Sequence, residues 1–375
     1  MSLSQERWSP PADARYGLAV GLVALAVFGA AWALLHTGFY ARDQIVDTPV
    51  YQRYGDAMLD GQVPYRDFRV EYPPAALALI ALGAGADRLL LALGFVALAP
   101  LLLGSVILTR FDLWPTALLM LGLAAVISGR NRTGLGVLGL AVAAKIFPVV
   151  VVPPALVYVW RRHGRREAVI CGAVFAAVVA VCFLPFVILS PGGVWDSLHR
   201  QADRPLQIES LGSSFLLVAH QLGAWTVHLN LSHGSQNQGG SFAGVLAAVQ
   251  SLVQAAVVIA LWVAYARGPA TGERLVRYTA ACVAAFIAFG KVLSPQFLIW
   301  LLPLVPLVRG RRGLVASGVL ALALLLTQLW FPYRYWDLAL RQDATASWLV
   351  FVRDLVLIAL VAVLAIPRRE PARMN

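Results

Sequence analysis

AVICGAVFAAVVAVCFLPFVILS, from Ala168 to Ser190, carries no charged side chain. Crossing ~30 Å of hydrocarbon takes about 20 such residues in one helix. A backbone in lipid finds no water for its amides and carbonyls, so the run must satisfy them internally as a helix. The uncharged stretch Gly17 to His36 repeats the signal near the amino end. Working outward, 59% of the chain is hydrophobic and 13% charged, against about 25% charged in soluble domains. That excludes an ordinary soluble protein and predicts an all-α integral membrane protein, with residues 1–375 forming one membrane domain.

Apolar runs near 17–36, 85–109, 113–129, 134–159, 168–190, 243–266, 275–290, 294–308, 313–331 and 347–366 predict a bundle of about ten crossings. The first run is long, follows Glu6 and lacks a small-residue cleavage site, which predicts a retained span. Two regions strain the scheme. Residues 75–109 suit either one long crossing or an interfacial helix plus a span, while Lys145, Pro148, Pro153 and Pro154 predict a broken or re-entrant helix in 134–160.

The net charge of +11 would on a soluble protein suggest nucleic-acid binding. Here the basic residues gather in short segments, at Arg161, Arg162, Arg165 and Arg166, at Arg309, Arg311 and Arg312, and at Arg368, Arg369 and Arg373. The positive-inside rule makes those segments cytoplasmic in a plasma membrane and removes the case for a nucleic-acid partner. Arg130 and Arg132 then fall outside, unless one strained region changes the parity. Three outer segments remain, 37–74, 191–240 and 332–346, holding Asp43, Asp47, Asp56, Asp60, Asp67, Glu71, Asp196, Asp203, Glu209, Asp337 and Asp343. Chemistry is therefore expected on the extracytoplasmic face. Cys171, Cys182 and Cys282 lie within predicted spans without metal spacing, and the outer histidines show none either. Neither a cofactor nor a metal is called for.

The first outer segment reads Asp47-Thr48-Pro49-Val50-Tyr51, then Gly61-Gln62-Val63-Pro64-Tyr65-Arg66-Asp67-Phe68, then Glu71-Tyr72-Pro73-Pro74. Asp47 or Thr48 suits a helix cap, and Val50, Tyr54, Ala57 and Met58 recur at the spacing of a helix lying on the membrane surface. These elements resemble bacterial glycosyltransferase family 87, in the GT-C class of polytopic enzymes that use polyprenyl-phosphate sugars. Lys145-Ile146-Phe147-Pro148 is similar to the family's Lys-x-x-Pro, and the stretch from Lys291 through Ser294, Pro295 and Gln296 to Trp300 is similar to its late Ser-Pro helix. Gln296 stands where some mannosyltransferases of the family carry a histidine, so that histidine's role does not transfer.

The resemblance implies a transferase that moves a hexose, mannose-like, or another monosaccharide from a polyprenyl-phosphate donor to a glycolipid or glycan acceptor. It implies Asp47 as the base, with Asp43 in reserve; read alone, Asp47 suits a helix cap and Asp43 a solvated loop acid. Charges within apolar surroundings normally face a cavity or a partner, so Lys145 and Lys291 are donor-phosphate candidates together with Arg204. Their plainer readings are snorkelling for Lys291, and for Lys145 a buried acid or the carbonyls freed near Pro148. Tyr51, Tyr65, Asp67, Glu71, Tyr72, Glu209 and Gln296 are candidates for holding the acceptor, although Asp67 and Glu71 suit ion pairs with Arg66 and Arg69. Tyr333, Tyr335 and Trp336 suit an interfacial aromatic belt. A transporter or lipid flippase is the alternative, disfavoured by carboxylates crowding one outer loop and by the lack of an internal repeat.

Overall fold

A computed structural model describes residues 14–35, 53–54, 57, 62–69, 98 and 110–366. Helix α1 is Ala14–Leu35; α2 is Leu113–Ile127 and α3 is Asn131–Ala144. The last two pack closely because Gly122 and Gly134 face each other: a Cβ on Gly134 would sit 2.8 Å from the Gly122 carbonyl oxygen.

Lys145 leaves the helix in extended conformation, and a 3-10 turn over Phe147–Val151 leads into α4, Val152–His163. Pro148, Pro153 and Pro154 lack amides for a continuous α ladder, so the chain reverses here. Arg132 pairs with Glu167 at 2.8 Å. The start of α3 and the end of α4 therefore share one end of the bundle, and Lys145 lies at the opposite tip. The chain thus follows the broken, re-entrant course expected for 134–160 rather than one continuous crossing, and Arg130 and Arg132 lie at the end that holds Arg161 to Arg166.

Helix α5, Arg165–Leu189, returns to the Lys145 end. There follow α6 (Pro191–Ala202), α7 (Leu211–Gln221) and a hairpin of β1 (Leu229–Ser232) and β2 (Ser235–Gln238). Both turn residues, His233 and Gly234, have positive φ (53° and 67°), which matches the twist of a two-residue hairpin loop. The hairpin corrects the all-helical expectation: the fold is mostly helical. Helix α8, Ser241–Arg267, runs back to the arginine-rich end, where Arg161 donates to the Gly268 carbonyl at 2.6 Å.

Helix α9, Gly272–Ala288, is the hub of the core. Its buried face from Thr279 to Ala288 is largely alanine, letting α8, α12 and the Phe147–Val151 turn approach closely. The predicted span 294–308 is instead a 3-10 helix, Pro295–Leu301, followed by turns. Pro295, Pro303 and Pro306 break its ladder, yet it still descends, since Arg309 meets Glu273 at 2.9 Å. Helices α10 (Gly310–Trp330), α11 (Tyr335–Arg341) and α12 (Ala344–Ala365) complete the bundle.

Among the described residues four helices, α5, α8, α10 and α12, are long and apolar enough to cross a membrane. The most apolar window of α5 is 0% buried inside the protein while that of α10 is 44% buried, so α5 offers its surface to the surroundings and α10 packs inward.

Candidate functional site

Asp112 precedes α2 but makes no capping hydrogen bond with its side chain. The carboxylate instead takes the Lys145 ammonium at 2.7 Å, and the indole N–H of Trp300 donates to the same oxygen. Asp112 is 1% exposed and the Lys145 side chain 15%, so the pair is largely withdrawn from water. Lys145 also lies over three rings, 4.8 Å from Phe111, 5.4 Å from Trp300 and 5.6 Å from Phe297. Trp300 is stacked between Phe147 and Phe297, with centroids at 3.8 and 4.3 Å. The proline-induced turns at Phe147–Val151 and Pro295–Leu301 supply both stacking partners.

Around this pair gather further charges. Arg110 is half-buried and feels the charges of Asp112, Glu209 and Tyr335, while Arg110 and Arg204 both act on Lys145. Arg204 is held by the hairpin, its guanidinium donating to Ser235 Oγ at 3.1 Å. Residues 206–208 pair with that hairpin: Ile208 N donates to the Gln236 carbonyl and Gln238 N to the Leu206 carbonyl. Gln207 N donates to the Lys291 carbonyl, so three separated segments meet at this strip.

Glu209 is 2% exposed and accepts from the Gln207 amide. Burial pushes its carboxyl up to about 8 although Arg353, Arg204 and Arg110 pull the other way. Burial likewise raises the Tyr335 phenol, with Glu209 adding to the rise. Below, Arg353 and Asp354 pair at 2.8 Å with both side chains fully buried, and Arg353 also donates to the Glu209 carbonyl at 2.8 Å. With Glu209 held protonated by burial, the cations Arg110, Lys145 and Arg204 outnumber the carboxylates that balance them in this largely buried cluster. Chemically such a place suits an anion rather than a metal. Among the described residues no group of three or more His, Cys, Asp or Glu side chains is placed to hold a metal.

The residues singled out in the sequence fall into three sets. Lys145, Arg204 and Glu209 belong to the cluster. Lys291 borders it: its ammonium donates to the Ala202 carbonyl at 2.7 Å, capping the end of α6, and its field partners are Asp203 and Arg204. Burial lowers its pKa. Gln296 accepts from Ser294 at 2.7 Å on the turn that carries Phe297 and Trp300. Tyr65 is buried against Phe186 and Val194 and lines a cavity of about 20 Å³ with Ile146, the neighbour of Lys145. Burial raises its phenol. Asp67 pairs with Arg66 at 2.7 Å and accepts from Val63 N at 2.8 Å, closing its own turn. Asp43, Asp47, Tyr51, Glu71 and Tyr72 lie outside the described residues.

Arg110, Asp112, Trp300, Tyr335 and Arg353 escaped the reading of the sequence as site residues. Tyr335, assigned there to an aromatic belt, faces Glu209 and Arg110, whereas its neighbour Trp336 is exposed. Arg353-Asp354 within the apolar run 347–366 was a usable signal, because a charge there requires a partner. The chain matches no protein-family model and no curated protein.

Proposed function

We infer that the chain is a multi-pass plasma-membrane glycosyltransferase of the GT-C kind, moving a monosaccharide from a polyprenyl-phosphate donor to an extracytoplasmic glycan or glycolipid. One observation carries this reading: Arg110, Lys145 and Arg204 converge, with Asp112 and Glu209, at the bundle end remote from the arginine-rich turns. By the positive-inside rule that end faces outward. Turns at Arg130, Arg162, Arg267 and Arg309 occupy the other end, consistent with cytoplasmic contact.

In the transfer, the acceptor hydroxyl loses its proton to a base as its oxygen bonds to the anomeric carbon. The bond from that carbon to the phosphate oxygen breaks, and its electron pair leaves with the polyprenyl phosphate. Arg110, Lys145 and Arg204 stabilise the charge that gathers on the phosphate. Asp112 and the stacked Trp300 hold the Lys145 ammonium in place. Asp47 is the base by resemblance, and Asp43 its reserve. Tyr65, from the first outer segment, lines a cavity with Ile146, the chain neighbour of Lys145.

The test is sugar transfer by purified protein from synthetic polyprenyl-phosphate sugars, compared with Asp47→Asn, Asp43→Asn and Arg110→Gln. Covalent product with wild type and loss with Asp47→Asn and Arg110→Gln supports the reading. Movement of substrate across the bilayer without a covalent product overturns it, and loss confined to Asp43→Asn moves the base there.

A further inference from the structure

The base of the β1–β2 hairpin opens on a second cavity, of about 490 Å³, between the end of α7 and the start of α8. Its lining includes Trp225, Thr226, His228, Ser241 and Phe242, with no Asp, Glu, Lys or Arg. The Trp225 and Phe242 rings lie 5.1 Å apart at 46°, and Phe242 is 51% exposed. Trp225 is firmly seated: it packs on Leu206, Leu216, Ala243 and Ala247, and its carbonyl accepts from His220 Nδ1 at 2.9 Å.

Tilted aromatic faces beside neutral hydroxyls and an imidazole suit a pyranose ring, whose C–H face packs on an aromatic while its hydroxyls exchange hydrogen bonds. An anionic ligand would leave its charge without a counter-charge here. The same hairpin holds Arg204 through Ser235 at its far end. With a strand rise of about 3.4 Å per residue, Gln238 and Ser235 are separated by roughly 10 Å. A chain of sugars lying along the hairpin would therefore reach from this groove to the cation cluster.

The geometry points to this groove as a subsite for an uncharged oligosaccharide, the body of an acceptor whose terminal hydroxyl lies at the cation cluster. The link to the cluster rests on the transferase reading; the groove itself does not.

Two uncharged acceptors with the same terminal sugar, a monosaccharide glycoside and an oligosaccharide, separate the possibilities. Wild type is expected to show a KM for the oligosaccharide about tenfold lower. Trp225→Ala and the milder Phe242→Ala are expected to erase that preference while leaving kcat and the monosaccharide KM unchanged. Retention of the preference in both variants overturns the subsite. If wild type transfers nothing, the functional reading fails, and saturation-transfer NMR with the oligosaccharide tests the groove alone. A signal lost in both variants supports it. No signal in wild type, a signal unchanged in the variants, or a wild-type signal lost on moving from detergent to a lipid nanodisc, where lipid fills the groove, overturns it.

Discussion

The two ends of the bundle use the same charged residues in opposite surroundings. At the arginine-rich end the ion pairs are open to water: Arg132 is 60% exposed beside Glu167, and Arg309 is 55% exposed beside Glu273. Other arginines there cover the carbonyls that helices leave unpaired, as Arg274 does at Ala264 and Tyr265. At the opposite end Lys145–Asp112 and Arg353–Asp354 are buried. Exposed pairs contribute little to stability. Buried pairs carry a desolvation cost that ordinary packing would avoid, so each member depends on its partner far more than at the exposed end.

The largest expected effect tests that contrast directly. Asp112→Ala leaves the Lys145 ammonium buried without its carboxylate, and unfolding in detergent should show a loss of about 3–5 kcal/mol. Glu167→Ala, which strips Arg132 of its partner in water, should move the same transition far less. Equal shifts would break the comparison. Replacing both members, Asp112→Leu with Lys145→Met, should recover much of the stability while transfer stays lost, which separates folding from function.

Glu209 supplies the next effect. Its folded pKa of about 8 lies above the ordinary value of 4.5, so the folded chain binds the extra proton between those limits. Stability from this group is fully present below about 4.5 and falls as pH rises to about 8, on the order of 1 kcal/mol per pH unit within that window. Glu209→Gln should flatten the slope in a thermal unfolding series; a slope that survives the substitution would show that another group sets it.

The uncharged run from Ala168 to Ser190 was readable as α5 because a run that long and apolar on every face has to satisfy its backbone as a helix. The break after Lys145 was equally readable, since each proline announces a missing amide. The identity of the Lys145 partner was not, because Asp112 lies in a different helical leg and nothing local to either residue encodes their meeting. Trp300 stood in a quoted motif, yet its role depends on stacking with Phe147, a contact between turns far apart in the chain. Whether the broken helix over 134–160 re-entered or crossed was a tertiary question, and the Arg132–Glu167 contact answers it by showing that the chain has turned back.

Two glycines extend the comparison at smaller cost. A Cβ on Gly193 would lie 1.9 Å from the Tyr65 carbonyl oxygen, so Gly193→Ala must push α6 off the first outer turn. That should cost about 1–3 kcal/mol and lower transfer, because the turn next to Lys145 loses its seat. Gly172, in the α5 half near the arginine-rich end, has only Leu156 within reach, at 3.9 Å. Gly172→Ala should be neutral or stabilising by up to about 1 kcal/mol. Thermal unfolding and initial rates of both variants would show whether the tight contact at Gly193 sets the two positions apart.

The smallest effect is expected at Asp67, an acid whose surroundings reverse those of Glu209. The Arg66 guanidinium and the Val63 amide hold its carboxyl down at about 2, below the ordinary 3.8, without removing it from water. A depressed folded pKa contributes stability above the unfolded value, and that contribution disappears as pH falls through the folded one. The window is thus about 4 down to about 2, acidic where that of Glu209 is near neutral. Asp67→Asn keeps the shape of the turn but removes the charge that Arg66 pairs with, so it should trim the acid-side decline in melting temperature and lower the profile above pH 5 slightly without changing its slope. A larger effect near neutrality would mean that Asp67 shares the buried field of the cluster, and the line between the exposed turn and the shielded pocket would have to be redrawn through Tyr65.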